Sequence, residues 1–218
     1  ILLFIGQKVN VTKGAPMPGQ KAAEATRREQ ILKAAHEVAL HRGIDGLTVR
    51  AVAAKARLSH GLVLFHFKRK DQLGLALLDR VLATTLALRV PDDIAALPSL
   101  RARLQALFRH ELYRLSKEPR RIRLLLEYWA RGAHNAVIRG KMSAGLESYR
   151  MAFRQLAEEA LHAEDGRRGK ETPAGLAATA VSLIIGYPVQ AMIDPDHFDV
   201  AEYLAAVDGI LGQLPQTA

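Results

Sequence analysis

The sequence predicts an all-α fold, in which a small amino-terminal three-helix domain precedes a larger helical domain. Of the 218 residues, 49% are hydrophobic but only 6% are aromatic, and the abundant Ala and Leu favour helices over strands. Apolar residues recur at helical spacing along most of the chain, and Ser, Thr or Asp precede several of these runs. No stretch alternates apolar and polar residues in the manner of a half-buried strand.

The chain is strongly basic and contains no cysteine. Its 31 Lys and Arg against 22 Asp and Glu give a net charge of +9, which favours a polyanionic partner or an anionic membrane surface. Residues 17–71 alone hold eleven basic and five acidic side chains, so the excess is concentrated in the first domain. Without cysteine there are no disulfides, thiolate zinc sites or cysteine nucleophiles, and we expect a cytoplasmic protein that uses no cofactor.

The first twenty residues give little indication of structure. The opening "ILLFIG" lacks a basic leader and is shorter than the core of a signal peptide. We expect residues 1–20 to be a disordered or non-native leader, with Met17 as a candidate natural start. The first helix is predicted from Thr26, where Thr26 and Glu29 have the spacing of a capping box, to just before Gly43.

Two short helices follow in close succession. Thr48 is predicted to cap a helix that ends at Ala56, and Ser59 to cap another that ends near Phe65. A helix that reads DNA must enter the major groove, while a preceding helix lies across the backbone and sets its angle. The tight spacing therefore predicts a helix-turn-helix, and residues 21–71 are predicted to form a DNA-binding domain.

A run of three basic residues, Lys68 to Lys70, stands at the start of the predicted fourth helix, 69–88. Positive charge at that end opposes the helix dipole and adds nothing to folding. Taken alone, such a run is typical of a solvated surface. Next to a helix-turn-helix it favours a phosphate partner.

Residues 72–218 are predicted to form the second domain, with the loop "PDDIAALP" as the seam between the two. Together with the four helices above, five further helices make nine in all, and we predict these five at 99–116, 119–131, 137–161, 173–193 and 199–211.

The helix predicted from Pro173 to Ile193 carries no charge over about the length that spans a bilayer. Thr179, Ser182 and Gln190 dilute its hydrophobicity, and acidic residues follow it where a membrane helix would carry a basic anchor. We therefore expect a buried or partner-facing helix and no membrane association.

Several linked residues between Thr26 and Leu73 have the order and spacing of a known DNA-binding motif. The order is a helix, T-x-x-x-[IV]-A, a small-residue turn, S-x-G, an aromatic cluster and a Lys before the fourth helix. It is matched by Thr48, Val52, Ala53, Ser59, Gly61, Phe65, His66, Phe67 and Lys70. In this respect the chain resembles the TetR family of one-component bacterial regulators. The resemblance implies an amino-terminal helix-turn-helix domain and a larger helical ligand-binding and dimerisation domain.

The resemblance also implies a set of DNA contacts. Some positions are similar to phosphate contacts of the family and others to contacts of its recognition helix. The DNA-binding residues expected on this basis are Thr48, Arg50, Ser59, His60, Gly61, Phe65, His66, Lys68 and Lys70. Two residues depart from the family pattern, since Arg57 stands where Gly is usual in the turn and Leu64 replaces a Tyr that commonly contacts phosphate.

The segment "LLLEYWARGAHNAVIRGKMSAGLESYRMAFRQLAEEAL" resembles BetI-type members, a subgroup named for a choline-responsive repressor. A quaternary ammonium requires an aromatic cage with a carboxylate nearby. The candidate ligand-binding residues are Phe108, Tyr113, Glu127, Tyr128, Trp129, Tyr149 and Phe153. Four arginines surround the segment, so an apolar or anionic effector is equally supported, and aromatics at helical spacing are also typical of a plain core.

The uncharged helix from Pro173 to Ile193 resembles the penultimate helix of the family, which forms dimers. Together with the helix from Asp199 to Leu211 it is predicted to form a homodimer interface. We thus expect a ligand-responsive transcriptional regulator, a repressor, that binds a pseudo-palindromic operator in double-stranded DNA as a homodimer and is released by a small molecule.

The alternatives to this interpretation are an enzyme and a basic protein that does not read sequence. An enzyme is disfavoured because Glu127, His110, His134 and His162 fall into no metal-ligand or nucleophile spacing, and we expect neither catalysis nor a metal site. A non-sequence-specific architectural or membrane-associated basic protein remains the alternative. Such a protein would bind random duplex as tightly as any operator.

Overall fold

The structure is a computed structural model that describes residues 18–162 and 172–212. Ten α-helices and no strands occur in these ranges, which confirms the all-α prediction. Their bounds are α1 Pro18–Arg42, α2 Val49–Ala56, α3 His60–His66, α4 Lys70–Thr85, α5 Asp92–Ala95, α6 Leu100–Ser116, α7 Pro119–Gly132, α8 Ala136–His162, α9 Pro173–Ile193 and α10 Val200–Gly212. Residues 1–17 of the predicted leader lie outside the described residues.

The first helix begins earlier than the sequence predicts. It starts at Pro18, so Thr26 and Glu29 lie inside α1 and do not cap it. Glu29 instead pairs with Arg80 of α4. The stretch before Thr26 is rich in Ala, Lys, Glu and Gln, which are strong helix formers, and Pro is favoured at a first helical position. The predicted loop between the domains also contains one short helix, α5.

The amino-terminal domain packs α1 across α2 and α3 around buried Ile31, Val52 and Val63. Two polar side chains of α1 fix this arrangement. Arg28 lies 4.1 Å from the centre of the buried Phe67 ring and donates to the carbonyl of His66 at 3.0 Å. Likewise, the Gln30 side chain donates to the carbonyl of Ala56 at 2.9 Å. The ends of α2 and α3 are thereby held against α1, which sets the angle at which α3 projects.

The carboxy-terminal domain is a helical bundle in which α8 packs along α9 and α6 contacts both α9 and α10. Leu107, Leu124, Tyr149 and Ile184 form its buried centre. Because α4 and α7 each contact helices of both domains, the two domains share one continuous hydrophobic core.

The outer side of α9 is uncharged and exposed. In the described part of the chain, α9 is the one helix that is long and apolar enough to cross a membrane, by length and composition only, with a mean hydropathy of 1.7 over its most apolar stretch. Only 28% of that stretch is buried within the subunit. Small side chains line the exposed side, namely Gly175, Ala178, Thr179 and Ser182. A neighbouring helix could therefore approach α9 closely.

His36 of α1 is half-buried where α1 meets α4 and α7. Burial, followed by the nearby Arg121 and Arg80, lowers the pKa of His36 below its ordinary value of 6.5. Its Nε2 atom is buried and makes no hydrogen bond to any part of the chain that the structure describes. The folded state therefore favours the neutral form of the imidazole.

This pKa shift predicts a loss of stability in mild acid. As the pH falls below 6.5, His36 is protonated in the unfolded chain before it is protonated in the folded chain. The free energy of unfolding therefore decreases as the pH approaches the lowered pKa. Urea unfolding at pH 7.5 and 5.5 should show a smaller pH effect in His36→Gln than in the unmodified chain. The exposed His134→Gln serves as control, and equal pH effects in all three chains would refute the prediction.

Candidate DNA-binding and effector sites

Both short helices of the helix-turn-helix begin at side-chain caps, as predicted. The Thr48 hydroxyl oxygen accepts from the amide of Ala51 at 3.1 Å, and that of Ser59 accepts from the amide of Leu62 at 3.1 Å. A hydroxyl that accepts in this way still has its own hydrogen to donate. Thr48 and Ser59 therefore fix the helix starts and remain able to donate to a phosphate oxygen.

The turn between α2 and α3 contains the unusual Arg57. Its backbone is left-handed, with φ 55° and ψ 45°, and it is the one described residue other than glycine with a positive φ. The next amide, that of Leu58, donates to the carbonyl of Ala53 at 2.9 Å and closes the end of α2. The turn thus keeps a geometry that favours glycine, although Arg57 carries a side chain.

The outer side of α3 is turned away from the core. Val63 is fully buried, whereas His60, Gly61 and Phe65 are exposed, and Phe65 at 72% is the most exposed aromatic side chain in the described residues. The ring of His66 stands edge-on to that of Phe65, with centroids 5.3 Å apart. Helical spacing of i, i+1, i+4 and i+5 places His60, Gly61, Leu64 and Phe65 on one side of α3.

The predicted phosphate-binding residues are exposed around this helix. Arg50 lies in α2, Lys68 and Arg69 lie in the turn after α3, and Lys70 begins α4. Arg69 precedes α4 without a side-chain cap, so the basic run has no role in closing that helix start. Its positive charge faces solvent.

The candidate effector residues do not form one cage, and two of them lie at the junction between the domains. The Glu127 carboxylate accepts from the amide of Ile44 at 2.7 Å, beside Gly43 with its φ of 69°. A Cβ at Gly43 would come within 3.0 Å of both carboxylate oxygens, so glycine allows this contact. The next residue, Tyr128, donates its hydroxyl to the carbonyl of Gly74 in α4 at 2.7 Å.

A second group of candidates lies in the buried core. The Tyr149 ring packs edge-on against Phe153, with centroids 5.6 Å apart, and Phe108 is also buried. The Tyr149 hydroxyl donates to Oε2 of Glu111 at 2.6 Å. Burial and the adjacent Glu111 carboxylate raise the pKa of Tyr149, so the phenol stays protonated and donates.

An ionic pair that the sequence does not predict lies at the centre of this group. Glu111 is only 1% exposed, and Arg114 donates to it from Nε at 3.0 Å and from Nη2 at 2.6 Å. Arg114 also donates to the carbonyl of Thr85, just inside the end of α4, at 2.8 Å. The i, i+3 spacing of Glu111 and Arg114 indicates a pair, but nothing local indicates that the carboxylate is buried.

The last two candidates lie at the surface, each beside a cavity. Trp129 lines a cavity of about 280 Å³ between α7 and α8, together with Met142 and Leu146. Tyr113 lines a cavity of about 570 Å³ bounded by α6, α9 and α10. The buried Tyr187 and the Arg109–Asp208 ion pair also line this second cavity. Within the described ranges, no group of three or more potential metal ligands is found.

Comparisons with known families agree with this geometry. Residues 31–77 match the family model of the bacterial regulatory proteins of the tetR family. Residues 100–215 match the model for the carboxy-terminal domain of BetI-type transcriptional repressors. The first match contains α2 and α3, and the second contains the five helices from α6 to α10.

Individual relatives extend over nearly the whole chain. It is 34% identical over 207 residues to an HTH-type transcriptional regulator in the dhlA 5′ region of Xanthobacter autotrophicus, covering 91% of this chain and 95% of that protein. It is also 28% identical over 173 residues to the HTH-type transcriptional regulator BetI of Burkholderia thailandensis, covering 79% and 85% of the two chains.

Solved structures share the fold at lower identity. One is a transcriptional regulator from Saccharomonospora viridis in complex with choline, with a TM-score of 0.70, 17% identity and coverage of 87% of this chain and 97% of that one. Another is the regulator FadR from Bacillus subtilis in complex with stearoyl-CoA, with a TM-score of 0.66, 17% identity and coverage of 86% and 98%. The chain therefore belongs to the TetR family of transcriptional regulators, a family of DNA-binding proteins and not of enzymes, and carries a BetI-type carboxy-terminal domain.

Proposed function

We propose that the protein is a cytoplasmic repressor that binds a pseudo-palindromic operator as a homodimer and is released by a small molecule. The observation that carries operator binding is the exposed side of α3, flanked by the basic run at Lys68, Arg69 and Lys70. Phosphate contacts from such a run position a protein on DNA, and base contacts from a helix in the major groove specify the sequence. The nine expected DNA-binding residues keep this role in the proposal.

The homodimer is supported by the uncovered side of α9. The exposed side of so apolar a helix requires a cover, and a second copy of the same face is the usual one in symmetric oligomers. We place α10 beside α9 in this interface, since Ile193 and Val200 at their adjoining ends are exposed. Such a dimer presents two copies of α3, which must lie about 34–36 Å apart to read successive major grooves.

Effector binding is supported by the cavity bounded by α6, α9 and α10. Its volume of about 570 Å³ lies in the range that holds small molecules. Choline and stearoyl-CoA are bound in two structures of the same fold, so the fold accepts ligands of very different size and charge. The seven candidate residues remain our proposed ligand-binding set, with Tyr113, Glu127 and Trp129 at cavity walls and the four buried aromatic residues acting through the core. Release requires that the ligand prefers one of two conformations.

The first test of this function is Lys70→Ala. We expect it to weaken binding to operator and random duplex by the same factor, because a phosphate contact carries no sequence information. The slope of log affinity against log salt should fall by about one. Fluorescence anisotropy against duplexes tiled across the region upstream of the gene, with random duplex as competitor, measures both quantities.

Two further variants make this test specific. Lys117→Ala removes the same charge at the end of α6, next to Tyr113, and should leave both affinities unchanged. His60→Ala should instead relax the preference at one position of each half-site. Uniform weak binding to every tile by the unmodified chain would contradict the regulator assignment and favour the architectural alternative.

A further inference from the structure

The outer side of α3, the helix proposed to enter the major groove, is mostly apolar. Of the four residues on that side, His60, Gly61, Leu64 and Phe65, only His60 has a side chain that can form hydrogen bonds. Leu64 is half-exposed and Phe65 is 72% exposed. A helix that reads bases through hydrogen bonds carries Arg, Lys, Asn or Gln at such positions.

Nothing inside the subunit accounts for this composition. Phe65 is 72% exposed, and its described ring contact is the T-shaped one with the neighbouring His66. A Cβ placed on Gly61 would meet no atom within 4 Å, so packing within the subunit does not require a glycine there. Glycine also disfavours the helix in which it lies. Both residues are therefore explained better by a partner that approaches α3 closely from outside.

The surroundings of the apolar side identify the partner as DNA. Arg57 precedes α3, and Lys68, Arg69 and Lys70 follow it, all of them exposed. A protein interface has few charges at its centre and a mixed rim, whereas the exposed charges that flank α3 are predominantly positive, with Asp71 as the acidic side chain after the basic run. Polyanionic backbones on both sides of a groove match that distribution.

One group in the major groove is apolar, and it is the C5-methyl of thymine. We propose that Phe65, supported by Leu64, selects thymines in each half-site by packing on their C5-methyl groups, and that Gly61 lets α3 approach the base edges closely. This inference rests on the proposed operator binding and adds to it the chemical feature that is read. His60 then supplies the hydrogen-bonding part of the recognition.

Substitution of deoxyuridine for thymidine tests this directly, because it removes only the methyl group and keeps every hydrogen-bonding group. An operator is first selected from randomised duplexes with the full chain, and each thymine is then replaced in turn. We expect a loss of about fourfold per methyl group at one or two positions of each half-site, and about fifteenfold when a symmetry-related pair is replaced. At those positions, a 5-methylcytosine·guanine pair should bind more tightly than a cytosine·guanine pair.

Protein variants assign the effect to Phe65. Phe65→Ala removes an exposed side chain, so its circular dichroism and Tm should match those of the unmodified chain. Its affinity for the thymine operator should fall by a similar factor, and the deoxyuridine penalty should disappear. The control Lys68→Ala should bind all duplexes more weakly and keep the full penalty.

The outcomes separate this inference from the function on which it rests. If selection yields no preferred sequence, the proposed operator binding fails. If an operator emerges but every deoxyuridine duplex binds within about twofold of the original, the methyl-reading inference is overturned and operator binding stands. A penalty that persists in Phe65→Ala overturns the role of Phe65.

Discussion

Replacing Arg114 with alanine should lower the free energy of unfolding by about 3 kcal/mol, because it leaves the Glu111 carboxylate buried without a cation. The Tyr149 hydroxyl would then be the one remaining donor among the described contacts of Glu111. The carbonyl of Thr85 loses its donor as well. For a chain of this size the Tm should fall by about 6–12 °C, which differential scanning calorimetry and urea unfolding measure.

The chain offers a matched control for this prediction. Arg150 and Glu147 form a pair with the same i, i+3 spacing, at 2.9 Å, but Glu147 is 45% exposed. Exposed pairs contribute less than about 1 kcal/mol, so Arg150→Ala should have little effect. Adding Glu111→Gln to Arg114→Ala should restore part of the lost stability, since it removes the buried charge. If Arg114→Ala and Arg150→Ala lower the free energy of unfolding equally, the burial of Glu111 is unimportant for stability.

Replacing Ser182 with arginine should prevent the proposed dimer and abolish operator recognition. Ser182 lies on the exposed small-residue side of α9, and its hydroxyl donates only to the carbonyl of Ala178, one turn back, at 2.8 Å. An arginine in that close contact would be buried without a partner. We expect sedimentation as a monomer, and an operator affinity that falls by at least about a hundredfold towards the affinity for random duplex.

The same substitution at another exposed serine serves as a control for the added positive charge. Ser143 is exposed on α8, and Ser143→Arg adds the same positive charge on that helix while α9 keeps its own sequence. Any general gain in DNA attraction should therefore appear in both variants. A Ser182→Arg protein that sediments as a dimer and keeps its operator affinity would place the interface on another surface.

The helix starts that the sequence predicts correctly are those whose signal is local. Thr48 and Ser59 each accept a hydrogen bond from an amide three residues on, so residue type and spacing suffice to find them. The predicted start at Thr26 was wrong because favourable helix formers before it extend α1 to Pro18. A capping box marks a possible start, and the residues before it decide whether the helix begins there.

The candidate effector residues were harder to place because their roles depend on contacts between distant parts of the chain. Glu127 meets the amide of Ile44, and Tyr128 meets the carbonyl of Gly74, although both pairs are far apart in sequence. Adjacent residues on one helix point in different directions, so this pair contacts two separate elements, the turn after α1 and α4. Residue type predicted polar and aromatic contacts here, but it could not predict their partners.

Arg57 has opposite expected effects on the stability of the fold and on the affinity for DNA. Its left-handed backbone costs about 1 kcal/mol that a glycine would not incur. A glycine at position 57 would also remove an exposed cation from the turn before α3. A cation at that place is attracted by the phosphates of DNA in the proposed complex. In the proposed complex with DNA, the thermal stability of the fold therefore favours glycine at this position, whereas affinity for the duplex favours arginine.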